Sequence, residues 1–338
     1  MKSNYRYIVK AFMAMAVIAG TTSCDDFLDR EPMSSISPET YYSTAAQLEA
    51  NLNDEYPNVL PSFGQWTYGI FGEDKGTDNQ IEVNANDRYT QDRWKVPHSE
   101  SDNWKFERIY RINFFLSEAL PKFGEDMSGS QNTISGSVAT IKHYIGEMYF
   151  LRAYEYFKKL QLFGDFPIID QPLADEMEAL REASKRFPRN EVARFIISDL
   201  DKAYAYMSDV DMATTRINKD VAMLVKSRVA LFEATWLQNF KGTAFVPGGE
   251  GWPGASLHNN YQYPSGNIDN EVKYFLEQAV EASKLVADKY KGSLTENTGV
   301  LQQSADDPSN PYFDMFAQED LSDVKEVLLW RQYARGLS

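Results

Sequence analysis

The segment from Ser137 to Phe163 constrains the fold more than any other part of this chain. Ile141, Ile145, Met148 and Arg152 share one helical row, and Phe150, Tyr154 and Phe157 share another. Apolar residues cover so wide an arc that the spacing predicts an inner helix over 137–163, touching neighbours on two sides. Gly146 weakens that helix, which points to close approach of an adjacent one. Similar periodicity predicts helices over 37–59, opened by Ser37-Pro38-Glu39, and over 101–123. Others are predicted over 190–207 with Asn190 as cap, 218–240 with Asn218, and 269–290 with Asp269. Almost no stretch alternates in the manner of a strand. The expected fold is all-α, and the repeated ends LQLF (160–163) and LQNF (237–240) favour helix-pair repeats.

The first residues read as an address rather than as structure. Lys2, Arg6 and Lys10 precede the apolar run AFMAMAVIAG. Ten residues are too few for a bilayer core that needs about 20, so 1–23 reads as a secretion signal. Cys24, the single cysteine, stands where a lipoprotein signal peptidase cuts; Ser23 fits the lipobox and Thr21 departs from it. A thiol there accepts a diacylglyceryl group, and the freed amine a further chain such as palmitate. Each buried methylene contributes about 0.8 kcal/mol to anchoring. Residues 24–36 then form an acidic tether, and 37–338 the helical domain. With one cysteine there is no disulfide, so stability rests on the packed core. The net charge of −15, or −18 without the leader's three cations, disfavours nucleic acid as a partner.

Loops longer than about 15 residues are usually functional or disordered. The 61–100 segment carries Trp66 and Trp94, and VPGGEGWPG (246–254) carries Trp252, with Tyr261 soon after. Gly249-x-Gly251-x-x-Gly254 spells a dinucleotide fingerprint, but Pro253 interrupts it and no helical periodicity follows. A rigid loop holding an aromatic ring ready for a ligand is the better reading. His98, His143 and His258 are scattered, so no metal set, cofactor site or catalytic set emerges. Among 49 acidic residues a carboxylate pair is always available, which keeps a surface glycoside hydrolase as an alternative. A helical-repeat adaptor binding only protein is the other. The helix-borne Trp104, Trp236 and Trp330 read as core.

IGEMYFLRAYEYFKKLQLFGDFPII (145–169) resembles the signature of the SusD/RagB family of outer-membrane nutrient-binding lipoproteins. The matching words are Phe150-Leu151-Arg152-Ala153, Tyr156-Phe157, Leu162-Phe163-Gly164-Asp165 and Pro167. CDDFLDREP (24–32), DNWKFERIYRINFFLSEA (102–119) and PRNEVARFIISDLDKA (188–203) agree in order. The resemblance implies tetratricopeptide-like helix pairs beside a loop-rich ligand-binding part. It also implies a surface-exposed protein of the cell outer membrane, without catalysis, that binds oligosaccharide or peptide. That protein would act with a SusC-like TonB-dependent transporter in polysaccharide utilisation. Members usually continue beyond the point matching 327–338, so by this resemblance the chain looks truncated. Stacking of sugar faces on rings, at about 0.5–1.5 kcal/mol per aromatic contact, makes Trp66, Trp94, Trp252 and Tyr261 the candidate ligand residues.

Overall fold

The computed structural model describes residues 41–61, 80, 103–124, 126–207, 212–301, 303–304 and 306–332. The first described helix, α1 (Ala45–Val59), starts at a reciprocal capping box. Thr44 accepts from the Gln47 N–H at 3.3 Å, and Gln47 accepts from the Thr44 N–H at 3.0 Å. The start signal read at Ser37 lies outside the described residues. Helix α2 (Glu107–Phe123) begins later than periodicity predicts, because Trp104 and Phe106 pack on Phe163 and Phe166 instead of joining it. Helix α3 (Val138–Phe163) is capped by the Ser137 side chain. A short helix that periodicity does not reveal, α4 (Met177–Ala183), precedes α5 (Arg189–Tyr206) and α6 (Lys219–Asn239). A 3-10 turn (Pro253–Ser256) leads to α7 (Ile268–Tyr290), and α8 (Pro311–Met315) follows.

Two caps differ from expectation, and each residue has another task. Asn190 lies inside α5, where it is buried and donates to the Tyr261 hydroxyl and to Glu271. Asn267 rather than Asp269 caps α7, and Asp269 pairs with Lys241 at 2.6 Å. Asn218 does cap α6.

The fold is all-helical. The described residues form no strand; isolated bridges pair Thr44 with Ser135 and Phe166 with Phe187. Side-chain pairs fix the helix directions. Arg152 meets Asp199, and Phe166 pairs with Phe187 beyond the other end, so α3 and α5 are antiparallel. Lys226 with Asp201 and Arg189 with Glu233 set α6 antiparallel to α5. Lys289 with Asp220 and Lys241 with Asp269 do the same for α7 on α6. Neighbouring helices therefore form hairpin pairs, and α3 touches α1, α2, α5 and α6. Such an inner position is what its wide apolar arc requires. At Gly146 an added Cβ would lie 2.7–2.9 Å from Met207 and the Ala203 carbonyl, which explains the glycine as a close crossing of α5. Since α3 and α6 both oppose α5, their LQLF and LQNF ends emerge at the same end of the stack. No helix among the described residues is long and apolar enough to cross a membrane.

Candidate ligand groove

At that shared end the chain leaves α3 through Gly164, whose backbone (φ 67°) turns sharply and delivers Asp165. The Asp165 carboxylate joins three elements. One oxygen accepts from the Arg189 backbone N–H at the start of α5 (2.9 Å), the other from the Trp252 indole N–H (2.8 Å). Burial pushes the Asp165 carboxyl above its ordinary value, against the pull of these two donors and the nearby guanidinium groups.

The loop between α6 and the 3-10 turn is folded back on this anchor. Trp252 is 5% exposed and stacks on His258 at 6.0 Å, with Tyr261 tilted at 5.6 Å. A Cβ at Gly254 would lie 2.2 Å from the indole, so the ring lies against bare backbone. The glycine pattern therefore accommodates an indole, with no described strand before it and only a 3-10 turn after it. Behind Trp252, Asn190 and the Tyr261 hydroxyl exchange hydrogen bonds at 2.9 and 3.1 Å. Glu271 receives Asn190 and Arg194 there. Burial alone would raise the Glu271 carboxyl, but hydrogen bonds from Arg194, Asn190 and Ser265 outweigh it and hold it below its usual value.

Arg189 supplies the floor. Its guanidinium makes a forked contact with the fully buried Glu233 (2.9–3.1 Å) and lies over the Trp236 ring at 4.1 Å. The Trp236 N–H donates to the Phe245 carbonyl (3.0 Å), tying α6 to the loop. Around these groups lies a groove of about 510 Å³, with Leu162, Phe245 and Leu257 exposed along its rim and Gln161 and Arg186 among its polar groups. A concave apolar wall with few oriented polar groups is the usual form of a small-ligand site. A second hollow, about 480 Å³, lies between Tyr56, Phe150, Tyr154 and Trp330.

Of the sequence candidates, Trp252 lines the groove with most of its surface covered, and Tyr261 stands behind it without lining it. Trp66, Trp94 and Cys24 lie outside the described residues. Three tryptophans read as helical core need correction. Trp236 is only half-buried and faces the groove; Trp104 precedes α2; Trp330 follows the long helices and donates to Thr214 at 2.9 Å. Trp236, Phe245, Arg186 and Arg189 escape sequence reasoning, although the paired LQLF and LQNF ends mark their location. Among the described residues no three His, Cys, Asp or Glu side chains are placed to hold a metal.

The model of a protein family described as starch-binding and associating with the outer membrane, SusD-like, matches residues 26–231, well over half of the chain. The chain belongs to the SusD-like family. SusD-like protein P2 of Formosa agariphila is 25% identical over 253 residues, covering 71% of this chain and 46% of its own length. SusD-like protein P25 of the same organism is 25% identical over 233 residues, covering 63% and 41%. The chain thus spans less than half the length of these curated relatives. Among solved structures, a SusD-like carbohydrate binding protein from Bacteroides fragilis is 15% identical with a TM-score of 0.45, covering 76% of this chain and 42% of that one. In this SusD-like chain the family words are structural fastenings. Arg152 of FLRA crosses from α3 to α5, and Asp165 of FGD hangs the Trp252 loop on the helical stack.

Proposed function

We propose that this SusD-like chain is a lipid-anchored protein of the outer-membrane surface that captures oligosaccharide or polysaccharide and passes it to a SusC-like TonB-dependent transporter. It performs no catalysis. The observation that carries this reading is the groove itself. A partly exposed indole, Trp236, is braced by Arg189 beside the exposed Phe245, with Gln161 and Arg186 within reach of sugar hydroxyls. Its two nearest carboxylates support binding rather than chemistry, because Asp165 is engaged by Trp252 and Arg189, and Glu233 by Arg189.

Native gels containing a panel of polysaccharides test the groove with the full chain. Retardation is expected on at least one glycan. Trp236→Ala should weaken it roughly 2- to 10-fold, given about 0.5–1.5 kcal/mol for one aromatic contact. Trp94→Ala and Trp252→Ala belong in the same series. Unchanged retardation of the Trp236→Ala chain would remove the groove from consideration. The anchor is tested separately: a Cys24→Ser chain should take up no labelled fatty acid, and persistent labelling overturns it.

A further inference from the structure

Among the groove's polar groups, charged donors outnumber unengaged acceptors. Sugar hydroxyls both donate and accept, so a neutral ring is best held by donors and acceptors together. Here, apart from the Gln161 amide, each side-chain acceptor of the lining already receives a donor. Asp165 receives Trp252 and the Arg189 N–H, and the Phe245 carbonyl receives Trp236. The donors are in surplus and charged. Arg189 gives only Nε and Nη2 to Glu233. Its Nη1, on a side chain 4% exposed, would lie 3.3 Å from a Cβ at Gly164 on the groove lining, and no described residue accepts from it. Arg186 is exposed at the rim and lies over the Trp104 ring at 4.5 Å. No described carboxylate stands within ion-pair distance of it. Its backbone is fixed by the His258 Nε2, 2.8 Å from the Arg186 carbonyl.

Two guanidinium groups, one buried and one braced on a ring, present a planar set of N–H donors beside an aromatic wall. Carboxylates and sulfate esters offer acceptors alone and match guanidinium geometry. We infer that the groove selects acidic glycans, whose uronate or sulfate group is received by Arg186 and the inward face of Arg189 while the sugar ring lies on Trp236. The inference rests on the glycan-binding reading and names its ligand class. The chain's net charge of −15 repels a polyanion at a distance. That field is screened beyond about 8 Å at physiological salt, whereas the two arginines act at contact.

Titration of the full chain with matched polymers tests this. Polygalacturonate is compared with its methyl ester, and dextran sulfate with dextran, so that carboxylate and sulfate are judged separately. The expected result is about tenfold tighter binding to one acidic polymer than to its neutral counterpart. Arg186→Gln should abolish most of that preference and Arg186→Lys should keep part of it, with unchanged circular dichroism in both. Equal binding within each pair, or a preference indifferent to Arg186→Gln, overturns the acidic assignment. Binding confined to neutral glycans such as starch also overturns it and leaves the general function standing. Binding to no polysaccharide at all removes both.

Discussion

Arg152→Ala is expected to cost about 3–5 kcal/mol of folding stability, the range for breaking one partner out of a buried ion pair. The Arg152 fork reaches Asp199 at 2.6 and 2.8 Å, and its remaining nitrogen reaches Asn113 and the Asp170 carbonyl, both at 2.9 Å. The guanidinium also sits between Tyr149 and Phe195, at 5.4 and 5.2 Å from their centroids. One side chain thus cross-links α2, α3, α5 and the segment leading to α4. Its removal leaves the Asp199 carboxylate fully buried, with Lys202 at 3.7 Å as its remaining cation. Arg152→Lys keeps a charge without the fork and should fall between wild type and alanine. Urea unfolding followed by circular dichroism measures the series, and a loss below about 1 kcal/mol for alanine contradicts the cross-link.

The second large effect concerns the groove floor. Glu233→Ala should also destabilise by about 3–5 kcal/mol, since it strands the Arg189 charge at 4% exposure. Burial pushes the Glu233 carboxyl upward and Arg189 draws it back, so the pair is held by mutual need rather than by solvent. A double replacement, Arg189→Leu with Glu233→Leu, should recover much of that loss, because neither partner is then left unpaired. The double variant should nevertheless bind glycan more weakly, with Trp236 deprived of the cation 4.1 Å away. A recovered fold with undiminished glycan retardation would show that the floor contributes packing alone.

The helical stack is written locally, and the groove is not. Asn218 acts where a cap is expected, and Gly146 crosses a neighbour as its cost in helix propensity suggests. Local signals falter where two residues qualify for one task. Asn267 and Asp269 are both good caps; Asn267 takes that role, and Asp269 pairs with Lys241, 28 positions away. Asn190 satisfies every cap criterion yet serves Tyr261 and Glu271, 71 and 81 positions distant. Trp236 has the spacing of a core residue. Its exposure to the groove follows from the path of the 240–257 loop, which no helical period encodes. The glycines of that loop are readable as permissive backbone, but their purpose emerges when the indole of Trp252 comes to rest on Gly254. Asp165 is legible as part of a family word, which carries no hint that its two oxygens serve different elements.

The attachment through Asp165 also separates two kinds of change. The side chains of Phe245 and Leu257 point outward from the loop, while its fixed points are the Trp252 indole and the main chain at Phe245. Outer positions can therefore be exchanged like parts on a graft, altering the shape offered to solvent without loosening the scaffold beneath. A chain built this way can drift in preference one rim residue at a time.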